Sequence, residues 1–164
     1  MLDPSPPVPV LDEFWTTHHA PPGAPPHPGG SDRPHAGGSA DTFRVLMVDD
    51  EELIRRMAAG MARRINVDLV AVGTADEALE VAGTSGIDLL IADVVLGEGS
   101  DGIDLVRRVH QAHPTLSVVL MSGYSESHFD LDGLPEGTQF LLKPFTSDSF
   151  ARCIATARQQ RPGR

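Results

Sequence analysis

The sequence predicts an α/β domain: a doubly wound, five-stranded parallel sheet with helices on both faces. Three observations predict it. Hydrophobic runs and amphipathic stretches alternate from Phe43 onward, as they do in successive βα units. The runs Val45-Leu46-Met47-Val48 and Leu89-Leu90-Ile91-Ala92 are continuously apolar, the mark of strands buried on both faces. Both runs then end in acid, at Asp49-Asp50 and at Asp93. A carboxylate beside a buried strand is costly without a partner, and the functional crevice of an open parallel sheet lies outside the carboxyl ends of its strands. Three carboxylates sharing that crevice suggest a site that holds a cation.

Each element has its own signal. A first strand is predicted at about 43–48. A helix follows at about 51–64, where Leu53, Met57 and Met61 recur at i, i+4 and i+8 and Glu51-Glu52 fall in the first turn. A second strand is expected at about 66–72. Thr74-Ala75-Asp76-Glu77 has the spacing of a capping box and opens a helix to about 82. The third strand is predicted at about 87–92. Asp101 through Ala112 reads as a helix with Ile103, Val106 and Val109 as its apolar stripe and Pro114 past its end. Leu116 to Met121 is the fourth strand and about 138–142 the fifth. A last helix from Thr146 presents Phe150, Ile154 and Ala157. Between the fourth and fifth strands, Ser125 to Phe129 starts a helical pattern that Asp130, Asp132, Gly133, Pro135 and Gly137 break. That helix is expected to be short or distorted. No internal repeat is visible.

Residues 1–40 differ from the rest. Ten of the 14 prolines and five of the 16 glycines fall there, so the segment lacks the apolar content to offset its ordering entropy and reads as a disordered extension. The folded domain is expected at 41–160. Within the extension, Val10-Leu11-Asp12-Glu13-Phe14-Trp15 carries the one Trp and is either a docking peptide or part of a solvated tail. His18, His19, His27 and His35 lack the regular spacing of a metal site.

The net charge of −10 argues against a nucleic-acid or anionic-membrane surface as the main function. One cysteine, Cys153, excludes a disulfide framework and a multi-cysteine zinc site, and reads as a small apolar core residue. No apolar run approaches the roughly 20 residues needed to span a bilayer. Met1-Leu2-Asp3-Pro4 lacks the pattern of a secretory signal, so a cytoplasmic location is expected.

The remaining strands bring further chemistry to the same edge. The fourth ends in Ser122-Gly123 and the fifth in Lys143-Pro144. Lys143 is the only lysine in the chain; the other 12 basic residues are arginines. A lone lysine at this edge suggests a fitted role for a compact point charge. Each residue also has a plain structural alternative: Asp49 or Asp50 as a helix cap, Ser122 as a turn residue, Lys143 as a surface cation. Their joint arrival at one edge favours chemistry. Oxygen ligands in an anionic cup suit Mg²⁺. A carboxylate beside the ion can attack phosphorus and become an acyl phosphate. Lys143 and the Ser122 hydroxyl are placed to hold phosphoryl oxygens. Asp93, alone at the centre of the sheet, is the better nucleophile, and the Asp49-Asp50 pair the better metal grip.

The ordered set Val48-Asp49-Asp50-Glu51, Ala92-Asp93-Val94-Val95-Leu96, Met121-Ser122-Gly123-Tyr124 and Phe140-Leu141-Leu142-Lys143-Pro144-Phe145 resembles that of response-regulator receiver domains across roughly 43–158. Each motif alone is weak, but the set in order is specific. The Met-Ser-Gly-Tyr wording is similar to receivers attached to hybrid sensor kinases. The resemblance implies a flavodoxin-like (βα)5 fold with Asp93 as phosphoacceptor. It implies that Asp50, Asp93 and the Val95 carbonyl ligate Mg²⁺, with Asp49 helping through water. Ser122 would move toward the phosphoryl group, Phe140 would be an aromatic switch, and Lys143 would pair with a phosphoryl oxygen ahead of a cis bond to Pro144.

It further implies a histidine kinase or histidine phosphotransfer protein as phosphodonor and an unknown downstream protein as output. The expected state is a monomer or a phosphorylation-dependent dimer. No nucleic acid or membrane partner is expected, nor an output domain after the last helix. Such a protein is not an enzyme beyond its own phosphorylation and dephosphorylation. Gly97 stands where the family often has Pro, so a looser loop is expected after Asp93. Val95 and Tyr124 flank the acceptor where other receivers often carry polar groups, and are expected to prolong the acyl phosphate.

Competing readings fit less well. An aspartate-nucleophile phosphatase usually carries Asp-x-Asp, which neither Asp93-Val94-Val95 nor Asp49-Asp50-Glu51 supplies. A nucleotide-binding domain would want a glycine-rich loop after the first strand. A receiver that binds partners without phosphorylation would have no need of the complete acidic set. A phosphate sink or shuttle remains open as a variant of the receiver reading.

Overall fold

A computed structural model describes residues 42–97, 101–123 and 132–160; the N-terminal extension, Tyr124 and the helical pattern at 125–129 lie outside them. Within the unit Asp41–Arg164, the described elements are β1 (Arg44–Val48), α1 (Glu52–Arg64), β2 (Asp68–Val72), α2 (Ala75–Thr84), β3 (Leu89–Asp93), α3 (Gly102–Ala112), β4 (Ser117–Ser122), β5 (Gln139–Leu142) and α4 (Ser147–Gln160). The strands form one sheet in the order β2-β1-β3-β4-β5, and every pairing is parallel. The chain thus winds outward from β1 to β2, then returns across β1 to β3. The reversal opens the crevice between β1 and β3 in which doubly wound sheets bind ligands.

Strand residues alternate between the two faces. Val45, Met47, Leu69, Leu89, Ile91, Val119, Met121 and Leu141 point to one side. There they form a core with Ala58 and Ala62 of α1 and Phe150, Ile154 and Ala157 of α4. Leu46, Val48, Leu90, Ala92, Val118 and Leu120, of opposite parity, are equally buried, as are Ala78, Val81, Val106 and Val109 of α2 and α3. All five residues of β3 are buried, which explains its unbroken apolar run. Among the described residues no helix is long and apolar enough to cross a membrane.

Several boundaries shift by a residue or two from the sequence expectation, among them the third strand at Leu89–Asp93 and the fourth at Ser117–Ser122. The second strand starts at Asp68 rather than near 66 because Asn66 takes a left-handed conformation (φ 54°). Val67 N–H then donates to Ala62 O at 3.0 Å and Asn66 N–H to Arg63 O at 3.3 Å, the double closure that ends a helix on an αL residue. Helix α2 continues to Thr84, past the expected end near 82. The expected capping box at its start is present: Thr74 Oγ1 accepts from Glu77 N–H and the Glu77 carboxylate accepts from Thr74 N–H.

Candidate functional site

Strand register assembles the site. Val48 pairs with Ala92, so the next residues, Asp49 and Asp93, emerge side by side from the two central strands. Ser122 pairs with Leu142, which brings Lys143 out one position further along the same edge. Its N–H donates to Ser122 O at 2.8 Å. Asp49 is fully buried, Asp93 is 7% exposed and Ser122 5% exposed, while Asp50 faces solvent. A carboxylate oxygen from each of Asp49, Asp50 and Asp93 lies within 4.8 Å of the others.

The two buried acids are held in the same way. Asp49 Oδ1 accepts from Glu51 N–H at 2.9 Å, and Asp93 Oδ1 accepts from Val95 N–H at 3.0 Å. Each bond closes an Asx-type turn across two residues, so in both acids one oxygen is spent on the loop and Oδ2 is presented to the pocket. Neither Asp49 nor Asp50 is the residue capping α1: that position is Glu51, whose side chain makes no capping bond.

Lys143 lies among the presented oxygens. Its ammonium hydrogen-bonds Asp93 Oδ2, stands 2.7 Å from Asp49 Oδ2 and reaches Glu51 Oε1 at 3.7 Å. The contact with Asp49 is a short buried ion pair, and among the described residues no second donor reaches Asp49 Oδ2, which keeps acceptor capacity on its other lone pair. Burial pushes the Asp93 carboxyl above its ordinary value, against the pull of Lys143 and of Val95 N–H. Burial acts to lower Lys143, but its contacts with Asp49 and Asp93 prevail and hold the ammonium above its ordinary range. The pocket therefore keeps its cation and resists a full set of bare carboxylates.

These donors fit a hard divalent cation. They are all oxygens, they converge, and one is a buried atom with acceptor capacity to spare; Mg²⁺ takes one or two carboxylates and retains water. Asp49, Asp50 and Asp93 are the side chains that would hold it.

The loops around the site depend on two glycines. A Cβ on Gly97 would meet Asp50 Oδ2 at 2.9 Å, so its bareness leaves room for that carboxylate. A Cβ on Gly102 would lie 1.8 Å from the backbone oxygen of Asp93, so α3 starts against the strand that carries the acceptor. Asp101 caps α3 by accepting from Ile103 N–H at 2.8 Å, and Val95 forms an antiparallel bridge with it. The Val95 side chain is 64% exposed beside Asp93. Phe140 is half-buried on the edge strand, paired with Leu120.

Sequence reasoning passed over Arg55. Its Nη1 donates to Asp49 O at 2.6 Å and to Asp50 O at 2.9 Å. The available signal was a cation one turn into the helix that follows the acid pair, since helical side chains lean toward the N-terminus.

Residues 45–155 match the family model of the response regulator receiver domain. The chain is 31% identical over 119 residues to the response regulator protein PilR of Pseudomonas aeruginosa. It is 34% identical over 116 residues to the sensor kinase CckA of Brucella abortus. These alignments cover 72% and 67% of this chain but 26% and 12% of the relatives. A response regulator receiver protein from Sinorhizobium medicae superposes with a TM-score of 0.68 at 22% identity, covering 76% of this chain and 100% of that one. A CheY-like receiver domain protein from Methanospirillum hungatei gives 0.64 at 21%, covering 73% and 96%. The chain therefore belongs to the response regulator receiver domain family of two-component signalling.

Proposed function

We propose that this receiver takes a phosphoryl group onto Asp93 from a phosphohistidine donor, with Mg²⁺ bound, and switches its surface to control a partner protein. One observation supports this above the others: Asp93 has one oxygen fixed by Val95 N–H and the other beside the Lys143 ammonium, within reach of Asp49 and Asp50. In the transfer, an Asp93 oxygen forms the new P–O bond as the P–N bond to the donor imidazole breaks, and the imidazole leaves with its electron pair. Bound Mg²⁺ supplies charge that offsets repulsion between carboxylate and phosphoryl oxygens. Lys143 exchanges its contact with Asp93 for one with a phosphoryl oxygen, and Ser122, at the end of β4, offers its hydroxyl to another. Phe140, paired with Leu120 near that strand end, carries the change outward to the edge strand. The donor is a histidine kinase or a histidine phosphotransfer protein, and the reaction modifies this chain alone.

The test is intact mass after incubation with Mg²⁺ and a small acyl phosphate. One phosphoryl adduct is expected on the wild type and none on Asp93→Asn. No adduct on the wild type, or an adduct that survives the substitution, overturns the proposal.

The exposed Val95 bears on how long the adduct lasts. Its side chain is exposed two residues past the acceptor, and its methyl groups cannot orient an attacking water. A Val95→Asn variant is expected to lose its phosphate several-fold faster, because an amide beside the phosphorus can position that water. The decay of the adduct by mass measures it, and decay no faster than the parent's would refute the role.

A further inference from the structure

The β1–α1 loop holds two of the three clustered carboxylates. It is short, and with the first residue of α1 it makes a run of four consecutive acids from Asp49 to Glu52, whose like charges repel one another at close range. Lys143 offsets part of that charge from within the pocket. A second cation lies behind the loop. Arg55 is one turn into α1, its own N–H donating to Glu51 O at 3.2 Å, and its side chain runs back toward the helix start. There a single nitrogen, Nη1, donates to the carbonyls of both Asp49 and Asp50.

The guanidinium has a seat. It lies over Gly73, just past the end of β2, where a Cβ would come within 3.3 Å of Nη1. Asp49 N–H donates to Val72 O at 3.2 Å. Asp49 is thus held through both its N–H and its carbonyl, and Asp50 through its carbonyl. Arg55 addresses their carbonyls, not their carboxylates. Its charge favours the acid pair without occupying the cup, whereas Lys143 stands among the presented oxygens.

We propose that Arg55 is a positioning residue for divalent-cation binding: it fixes the Asp49 and Asp50 carbonyls so that both carboxylates converge before the ion arrives. The inference rests on the metal-binding part of the proposed function. Groups that orient metal ligands in this way typically change affinity by about 10–100-fold when removed.

Titration calorimetry of MgCl₂ into the full chain tests it, with Arg55→Gln, Arg55→Lys and Arg56→Gln beside the wild type. Arg56 is the control. It removes the same charge one residue away, from an exposed side chain paired at 3.6 Å with Glu52. Arg55→Gln is expected to weaken Mg²⁺ binding by about tenfold. Arg56→Gln should stay within about twofold of the wild type. Arg55→Lys should fall between, since one ammonium can reach a carbonyl without the seat over Gly73. In labelling with the small acyl phosphate, Arg55→Gln should need more Mg²⁺ for half-maximal rate and approach the parent's rate at saturation.

Equal affinity in Arg55→Gln and wild type overturns the assignment, as does equal weakening in Arg55→Gln and Arg56→Gln, which would make the effect bulk charge. Should the glutamine variant unfold, Arg55→Lys carries the comparison, and wild-type affinity there overturns it. A wild type that binds no Mg²⁺ sinks the metal reading and this assignment together. A wild type that binds Mg²⁺ but takes no phosphate sinks the phosphoacceptor reading alone.

Discussion

Replacing Lys143 by methionine is expected to lower folding stability by about 3–5 kcal/mol in metal-free buffer near neutral pH, the usual cost of removing one partner from a buried ionic cluster. The lysine side chain is 13% exposed, that of Asp49 is fully buried and that of Asp93 is 9% exposed, so water replaces the lost ammonium only in part. Methionine keeps the length and much of the volume, which isolates charge from packing. Mg²⁺ should restore part of the lost stability, because the ion adds positive charge among the same oxygens. Chemical denaturation with and without Mg²⁺ measures both effects. A variant as stable as the parent without metal would show that the cluster does not need its cation.

The deficit should shrink as the solution is acidified. Asp93 has a raised value in the folded protein. Its contribution is therefore fully present below the unfolded carboxyl value and is lost as pH rises through the folded one. Removing Lys143 removes two of the influences that hold Asp93 down, so the variant's carboxyl rises further and takes up its proton at higher pH than the parent's. Lys143 itself is raised from 10.5. Its stabilising contribution to the wild type is complete below that value and is lost only as pH rises through the still higher folded one. The gap between parent and variant is thus widest from neutral to mildly alkaline pH and narrowest in acid.

The legible part of this site was the part written in strand ends. Asp49 and Asp93 follow apolar runs, and in a parallel sheet such runs end at one edge, which places both acids there from residue order alone. The Val48–Ala92 register adds that they are immediate neighbours. Lys143 was visible because it is the sole lysine. What stayed hidden depends on backbone geometry that residue type does not encode. Asn66 looked like the start of a strand because its left-handed turn is a property of the helix end. Gly97 read as a source of looseness, whereas in the fold its missing Cβ gives Asp50 room. Arg55 lay on the polar side of an amphipathic helix, where an arginine signals solubility. Its carbonyl contacts appear only once the loop closes over it.

Gly102 is the position where backbone geometry and chemistry meet, and Gly102→Ala is expected to damage both. The added methyl would lie 1.8 Å from Asp93 O, 2.8 Å from Asp93 C and 3.3 Å from Val94 Cα. All three are backbone atoms, so no side chain can swing aside. Either β3 or the start of α3 must shift, at a cost of about 1–3 kcal/mol for an overpacked core. The shift is tied to the acceptor. Gly102 N–H donates to Val94 O at 3.0 Å, and Val94 links Asp93 to the Val95 N–H that fixes its Oδ1. Moving this corner by even 1 Å turns the Asp93 carboxylate away from Lys143 and the other acids, and misplacement on that scale can cost about 100-fold in rate. Gly60→Ala is the matched comparison. It lies within α1 with nothing inside 4 Å of its added methyl, and alanine there should stabilise by up to about 1 kcal/mol. Thermal unfolding and the rate of phosphoryl labelling should separate the two variants in opposite directions for stability, and in Gly102→Ala alone for rate. If Gly102→Ala labels at the parent's rate, the start of α3 does not position Asp93.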